Sequence, residues 1–158
     1  MLLSEYDFAS YLTYCSNRGD GSKSDKRIKS QNVMYCLKHE RSLGEPPTVF
    51  SRYVANRIKT DLKKLPFADY FGNDVFLVPV PGSSLMKHDG LWVPEKISKA
   101  LEEQGLGTSF SCLERVKKVP KSAFCKSDQR PKPEDHYNAI QVKRLMIHTI
   151  KPSKIVLI

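Results

Sequence analysis

The strongest constraint on the fold is a change of hydrophobic period between residues 47–65 and residues 74–80. In the first segment, apolar residues recur every three or four positions among charged ones, which predicts an amphipathic helix ended by Pro66. The second segment holds an unbroken apolar run, residues 75–78, which is typical of a strand buried on both faces. This pairing indicates an α/β fold in which helices flank a mainly parallel sheet.

The same alternation continues to residue 158. Trp92 to Leu101 has helical spacing, and Gly105 is a suitable stop. Strands are predicted by three further segments: residues 108–113, weakly, then 139–142, and a buried run at 154–158. Residues 114–137 between them have no periodicity and are rich in lysine and proline.

The N-terminal part is less regular. Residues 4–16 have the spacing of a short helix with an aromatic face, and residues 17–30 have the composition of a loop. The apolar residues 33–37 fit a helix or a strand. A length of 158 residues favours one domain. We therefore expect a helical and loop lead-in over residues 1–46 and a single α/β core over residues 47–158.

Charge favours an anionic partner. The chain has 26 basic and 17 acidic residues, a net charge of +9. Residues 114–132 hold seven basic residues against two acidic ones, and residues 18–41 hold seven against three. A long basic loop fits closure over a phosphorylated ligand, contact with nucleic acid, or a solvated surface. Only Phe124 and Tyr137 lie among the cations of the first cluster, too few aromatic residues to support a stacking platform for single strands.

Several classes are disfavoured by what the sequence lacks. No apolar run approaches the roughly 18 residues of a membrane span, and no secretory signal is visible, so we expect a cytoplasmic protein. The spacing of the cysteines does not match a zinc ribbon, so we expect small buried residues or free thiols and no metal site. These are Cys15, Cys36, Cys112 and Cys125.

The loop after the strongest strand is the first candidate site. In open α/β sheets, ligands bind beyond the carboxyl ends of the strands. Gly82 would allow an unusual backbone conformation and close approach to a ligand, and Ser83 and Ser84 offer hydroxyls and amides to an oxyanion. An ordinary strand-to-helix turn explains the same residues. Neither a dinucleotide-binding nor a P-loop motif is present.

The order of four segments resembles type I phosphoribosyltransferases, closest to their competence-associated, ComF-like branch. Residues 76–84 look like the first strand and pyrophosphate loop, and residues 113–122 are similar to the start of the flexible catalytic loop. Residues 130–137 resemble the returning arm of that loop. Residues 152–158 look like the strand that precedes the family's hallmark motif.

The resemblance implies a function and a set of site residues. It implies transfer of a phosphoribosyl group from phosphoribosyl pyrophosphate (PRPP), bound with Mg²⁺, to a base or an amine. Pyrophosphate leaves through an oxocarbenium-like transition state and is stabilised by backbone groups and cations. The implied pyrophosphate-binding residues are Pro81, Gly82, Ser83 and Ser84. The implied catalytic cations are Arg115, Lys117 and Lys118, and the implied flexible-loop residues are Lys121, Arg130 and Tyr137.

Two family features are missing from this sequence. The hallmark acidic pair followed by Thr and Gly is expected directly after Ile158, and the branch's N-terminal zinc ribbon is absent. The core therefore looks C-terminally incomplete, which fits a truncated chain, one piece of a split gene or a degenerate non-catalytic domain. Two other functions stay open: a basic nucleic-acid-binding module, and a non-catalytic subunit completed by a partner chain or by a second copy of itself.

Overall fold

The computed structural model describes residue 10 and residues 25–86, 90–143 and 152–158 of the chain. Its helices are α1 (Asp25–Lys38), α2 (Phe50–Asp61), α3 (Val93–Glu103) and α4 (Pro133–Tyr137). Its strands are β1 (Ser42–Leu43), β2 (Thr48–Val49), β3 (Val75–Val78), β4 (Thr108–Ser109), β5 (Leu113–Arg115), β6 (Ile140–Val142) and β7 (Lys154–Leu157). Short 3₁₀ turns occupy Leu62–Lys64, Ala68–Tyr70, Ser122–Phe124 and Ser127–Gln129.

The central sheet has three parallel strands in the order β4-β3-β7. Phe76 of β3 aligns with Thr108 of β4 on one side and with Ile155 of β7 on the other. These parallel neighbours and their helices confirm the predicted mixed α/β class, with a small parallel sheet flanked by helices. Two antiparallel pairs, β1–β2 and β5–β6, lie outside this sheet.

The hydrophobic core lies between one face of β3 and the helices α2 and α3. Alternate residues of a strand share a face, and Val75 and Leu77 of β3 both point into this core. Leu77 is fully buried, at 0% exposure. The opposite face of β3 is also covered, because Phe76 is buried and its ring lies 4.8 Å from that of Phe110. The prediction of a strand buried on both faces is confirmed for β3.

The end of α3 fixes the path of the chain into β4. The N–H of Gly105 donates to Glu102 O at 2.8 Å, and the N–H of Leu106 donates to Leu101 O at 3.0 Å. This pair of bonds is a Schellman motif, in which the glycine takes a positive φ, here 68°. Gly107 follows with a φ of 150°, and a Cβ at that position would lie 2.8 Å from Leu77 Cγ. The chain therefore passes directly against the core at Gly107.

Several sequence expectations differ from the structure or lie outside it. Residues 25–30, expected in a loop, belong to α1, which begins with Asp25 in its first turn, where a carboxylate stabilises the helix dipole. The weak strand expected over residues 108–113 is divided between β4 and β5, which join different sheets. The helix expected at residues 4–16 lies outside the described residues, apart from residue 10.

The expectation that the last strand is buried is wrong for two of its side chains. Val156 and Ile158 pack against the core, but Ile155 and Leu157 on the other face are 64% and 65% exposed. The core helices pack on the face that carries Val156, and in the described ranges the opposite face of β7 is left open.

The described part of the chain contains no helix with the length and apolar composition that a membrane crossing needs. Cys36, Cys112 and Cys125 are free and half-buried, as the composition predicts for thiols that are not used in disulfides. Burial raises the pKa of the Cys112 thiol above its ordinary value. Cys15 lies outside the described residues.

A distant carboxylate stabilises the start of α2. Glu40 accepts hydrogen bonds from the N–H of Ser51, at 3.2 Å, and from its hydroxyl. Ser51 lies in the first turn of α2, where a backbone N–H has no partner within the helix. Ser51 is also buried, so the bond to Glu40 replaces a partner that water could not supply. We expect Glu40→Ala to lower the free energy of unfolding by about 1 kcal/mol, measured by urea denaturation. Asp128→Ala, at an exposed carboxylate, is the matched control, and equal midpoints for the two variants would contradict the capping role.

Candidate functional site

The 81–84 loop follows β3, the central strand of the parallel sheet. Ligands of open α/β sheets bind at this edge, beyond the carboxyl ends of the strands. The N–H of Val80, the residue before the loop, donates to Ile158 O at 2.9 Å, which ties the start of the loop to the end of β7. The loop therefore begins from a fixed point on the sheet.

Arg115 holds the first half of the loop. Its Nε donates to Gly82 O at 2.7 Å, and its Nη2 donates to Pro81 O at 3.3 Å. The residue lies at the end of β5, which pairs with β6, so the guanidinium is presented by a hydrogen-bonded strand. One planar fork thereby orients two consecutive peptide groups of the loop.

Two further donors hold the neighbouring carbonyls. The indole Nε1 of Trp92 donates to Val80 O at 3.3 Å, and the backbone N–H of Val119 donates to Ser83 O at 2.9 Å. Trp92 and Val119 are both buried. The four carbonyls of residues 80–83 are therefore all hydrogen-bonded to donors from other parts of the protein.

This arrangement leaves the amide groups of the loop free. In a trans peptide, the C=O of one residue and the N–H of the next point in opposite directions. The N–H groups of Gly82, Ser83 and Ser84 therefore point away from the donors that hold the carbonyls. Nothing in residues 25–86, 90–143 or 152–158 accepts a hydrogen bond from these N–H groups or pairs with the two serine hydroxyls. A run of adjacent free amides is the arrangement by which loops bind anions.

Arg115 also places an uncompensated positive charge beneath these amides. The residue is 8% exposed, and no carboxylate of the described residues forms an ion pair with it. Burial lowers the pKa of its guanidinium below the ordinary value, and Nη1 is buried without a partner. The guanidinium lies on the carbonyl side of the loop, so its charge would attract an anion at the free amides across the peptide groups.

The unusual backbone conformation that the sequence analysis expects at Gly82 is not observed. Its φ is not positive, and a Cβ added there would meet no protein atom within 4 Å. The conformation of the loop therefore does not require glycine. The lack of a side chain instead leaves open space beside the free amides.

The other predicted site residues make no contact with the loop that the structure records; only the backbone of Val119, between them, reaches it. Val119 joins the start of the basic segment to Ser83, but the side chains of Lys117 and Lys118 are exposed and form no hydrogen bond with the 81–84 loop. The predicted flexible-loop residues are also exposed, again without a contact to the loop: Lys121, Arg130 and Tyr137. Of the predicted cations, the structure brings only Arg115 to the predicted pyrophosphate residues within the described ranges.

Sequence reasoning missed Trp92 and Val119 as residues that hold the loop. It treated Arg115 as a cation that faces a ligand, although strand alternation places Arg115 on the same face as Leu113 and opposite Glu114. That alternation was the available signal for a buried guanidinium. No comparable local signal marks Trp92, whose bond spans 12 residues of sequence.

No protein-family model, curated protein or solved structure matches this chain. The geometry of the 81–84 loop is therefore the basis for a functional assignment.

Proposed function

We propose that this chain is a phosphoribosyltransferase-type domain that binds the pyrophosphate group of PRPP at the 81–84 loop. The observation that carries the proposal is the run of three free amides above the buried, unpaired Arg115. Diphosphate is the anion that best suits this site, because adjacent amides supply several donors and a cation compensates its charge. The order of sequence segments that resemble the family supports the same assignment.

The loop would stabilise the leaving group of the transfer reaction. The bond between C1 of the ribose and the pyrophosphate oxygen breaks, and its electron pair remains on pyrophosphate. A nitrogen of a base or an amine forms the new bond to C1 and loses its proton. The amides of Gly82, Ser83 and Ser84 have no partner among the described residues, so they could donate to the departing pyrophosphate with little reorganisation of the loop. In this reading Arg115 is a positioning residue, and Lys117 and Lys118 remain the candidate catalytic cations.

Magnesium enters the proposal only as the counter-ion that PRPP brings. No group of three or more His, Cys, Asp or Glu side chains that could hold a metal occurs in the described part of the chain. No protein residue is therefore assigned to Mg²⁺, which is commonly held by substrate phosphates and water. The half-buried free thiols suit a reducing compartment, and a cytosolic location belongs to the same proposal.

Calorimetric titration tests the assignment directly. Pyrophosphate alone, and PRPP with Mg²⁺, are titrated separately into the chain, with sulfate as the control anion. We expect saturable binding of both diphosphates at one site and weaker binding of sulfate, which has fewer charged oxygens to satisfy. At about 100 times the Kd, bound ligand should raise the free energy of unfolding by about 2.7 kcal/mol. The proposal is overturned if neither diphosphate binds nor stabilises the protein.

Gly82→Ala separates ligand binding from folding. Because the added methyl group meets no protein atom, we expect the free energy of unfolding to stay the same or to rise by up to about 1 kcal/mol. The methyl group occupies the open space beside the free amides, so pyrophosphate affinity should fall by at least about tenfold, the equivalent of 1.4 kcal/mol. The two quantities are measured by urea denaturation and by calorimetry. Unchanged affinity would place the anion elsewhere.

The exposed face of β7 favours a second candidate, a subunit completed by another chain. Parallel strands are normally covered on both faces, yet Ile155 and Leu157 are each about two-thirds exposed. A partner or a second copy that packs on this face of β7 would bury these two side chains. Size-exclusion chromatography with light scattering tests this candidate, since a monomer at all concentrations would argue against a second copy.

A further inference from the structure

Residues 120–138 form a mostly exposed segment whose two ends are held together by hydrogen bonds. The N–H groups of Val116 and Lys117 both donate to Ala139 O, at 3.0 and 3.4 Å, immediately beyond the β5–β6 pair. Val119 is buried, whereas most of the following side chains are exposed. We call residues 120–138 the arm. It is a surface feature with a closed base.

Two aromatic rings of the arm are unusually exposed. Phe124 is 85% exposed and Tyr137 is 83% exposed, whereas the next large apolar side chain in the described ranges, Leu157, is 65% exposed. Neither ring stacks on an aromatic or cationic side chain of those ranges. A free phenyl ring in water forgoes the burial energy it would gain elsewhere. Both rings are therefore available to stack on a planar group of a partner.

Local hydrogen bonds fix the backbone under both rings. Phe124 ends a 3₁₀ turn, in which its N–H donates to Lys121 O at 2.9 Å. Tyr137 ends α4, whose start is capped by the Asp135 carboxylate, which accepts from the N–H of Lys132 at 2.8 Å. The rings therefore project from ordered turns, which reduces the conformational entropy lost when they bind a partner.

The segment that carries the two rings is also rich in basic residues. Six exposed basic side chains on the arm and its base form no ion pair with the described residues: Lys117, Lys118, Lys121, Lys126, Arg130 and Lys132. The carboxylates of the arm are Asp128, Glu134 and Asp135, and the last of these is engaged in the cap. The surface therefore has a positive excess of three charges and two free aromatic faces.

We infer that the arm binds single-stranded nucleic acid. Its rings would stack on unpaired bases, and its cations would neutralise the adjacent phosphates. Stacking requires the open face of an unpaired base, which a duplex does not offer. An acidic peptide would satisfy the cations but would leave both rings without a matching planar group. The sequence analysis disfavours a stacking platform because only two aromatic residues lie in this segment. Their high exposure in the structure is the reason to propose one here.

The inference uses no residue of the 81–84 loop, although Lys117 and Lys118 are also the candidate catalytic cations of the proposed function. Its test is fluorescence anisotropy with a labelled oligothymidylate of about 16 nucleotides, at about 50 mM salt. We expect saturable binding by the unaltered chain. Phe124→Ala with Tyr137→Ala should weaken it by at least about tenfold, because each stacked base contributes substantially. Tyr35→Ala with Tyr53→Ala, which removes two exposed rings elsewhere, is the matched control and should bind normally.

Salt dependence tests the role of the cations. Each phosphate contact to a single strand contributes about 0.7 to the slope of log affinity against log salt concentration. Lys126→Gln with Arg130→Gln should therefore reduce the slope by about 1.4. The matched control is Lys59→Gln with Lys63→Gln on and after α2, which should leave the slope unchanged. All of these side chains are exposed, and circular dichroism confirms that each variant is folded.

Three results would overturn the inference. The first is that the unaltered chain does not bind the oligonucleotide at about 50 mM salt. The second is that the aromatic double variant binds it with unchanged affinity. The third is that polyglutamate displaces the labelled oligonucleotide as well as unlabelled oligothymidylate does. Equal competition would show a general preference for polyanions. Any of them would leave the pyrophosphate proposal standing, because pyrophosphate binding is measured separately on the same protein.

Discussion

Replacing Arg115 with Met is expected to abolish pyrophosphate binding and to lower the free energy of unfolding by about 3 kcal/mol. The substitution keeps a long side chain but removes two hydrogen bonds from a charged donor. The carbonyls of Pro81 and Gly82 would then lie near an apolar group without their present donor. The loop would lose both its orientation and the positive charge beneath its amides. Urea denaturation and calorimetric titration measure the two effects.

Two further variants show which property of Arg115 matters. Arg115→Lys keeps the charge but cannot reproduce the planar fork, so we expect it to recover part of the stability and little of the binding. Arg52→Met removes an exposed ion pair with Glu103 and should cost less than about 1 kcal/mol, with binding unchanged. Pyrophosphate binding by Arg115→Met at the affinity of the unaltered chain would refute the positioning role.

The second large effect is expected from Gly107→Ala. The new Cβ would lie 2.8 Å from Leu77 Cγ and 3.1 Å from each of its methyl groups. Leu77 is fully buried at the centre of the core and cannot move without displacing its neighbours. We expect a loss of about 3 kcal/mol in the free energy of unfolding, measured by urea denaturation.

Comparison with Gly105→Ala distinguishes overlap from backbone strain. Gly105 has a φ of 68°, but a Cβ there meets nothing within 4 Å, so we expect a cost of only about 1 kcal/mol. Leu77→Ala should reduce the penalty of Gly107→Ala, because it removes the atoms with which the methyl group collides. Additive effects in this double-mutant cycle would show that the two residues do not interact as described.

Elements with a strong local pattern could be predicted from the sequence. The helices α2 and α3 have regular apolar spacing, and β3 is an apolar run bounded by turn residues, so each is determined mainly by neighbouring residues. The beginning of α1 could not be predicted because residues 25–30 are polar apart from Ile28 and carry no core-facing pattern. The division between β4 and β5 depends on which strands they pair with, and no local pattern reveals the partner.

The place of the 81–84 loop after a buried strand could be predicted, but the contacts that hold the loop could not. The strand-loop arrangement at residues 75–84 indicated a site at the edge of the sheet. The inward orientation of Arg115 depends on contacts 33 and 34 residues away in sequence, and the bond from Val119 to Ser83 is similarly long-range. Arginine is mostly exposed in proteins, so composition favoured the opposite orientation. Long-range contacts, rather than residue type, determine this site.

The hydrogen bonds to the carbonyls of residues 80–83 make ligand binding at the loop depend on folding of the rest of the protein. Their donors come from β5, from the start of α3 and from the segment after β5, so the loop becomes rigid only when these parts have folded. The loss of loop entropy therefore accompanies folding and is not repeated on binding. Most substitutions that weaken a ligand here would also reduce the amount of folded protein. A mutational survey scored on binding alone would recover mainly folding defects. Gly82, which has no structural neighbour for a side chain, is where the two effects can be separated.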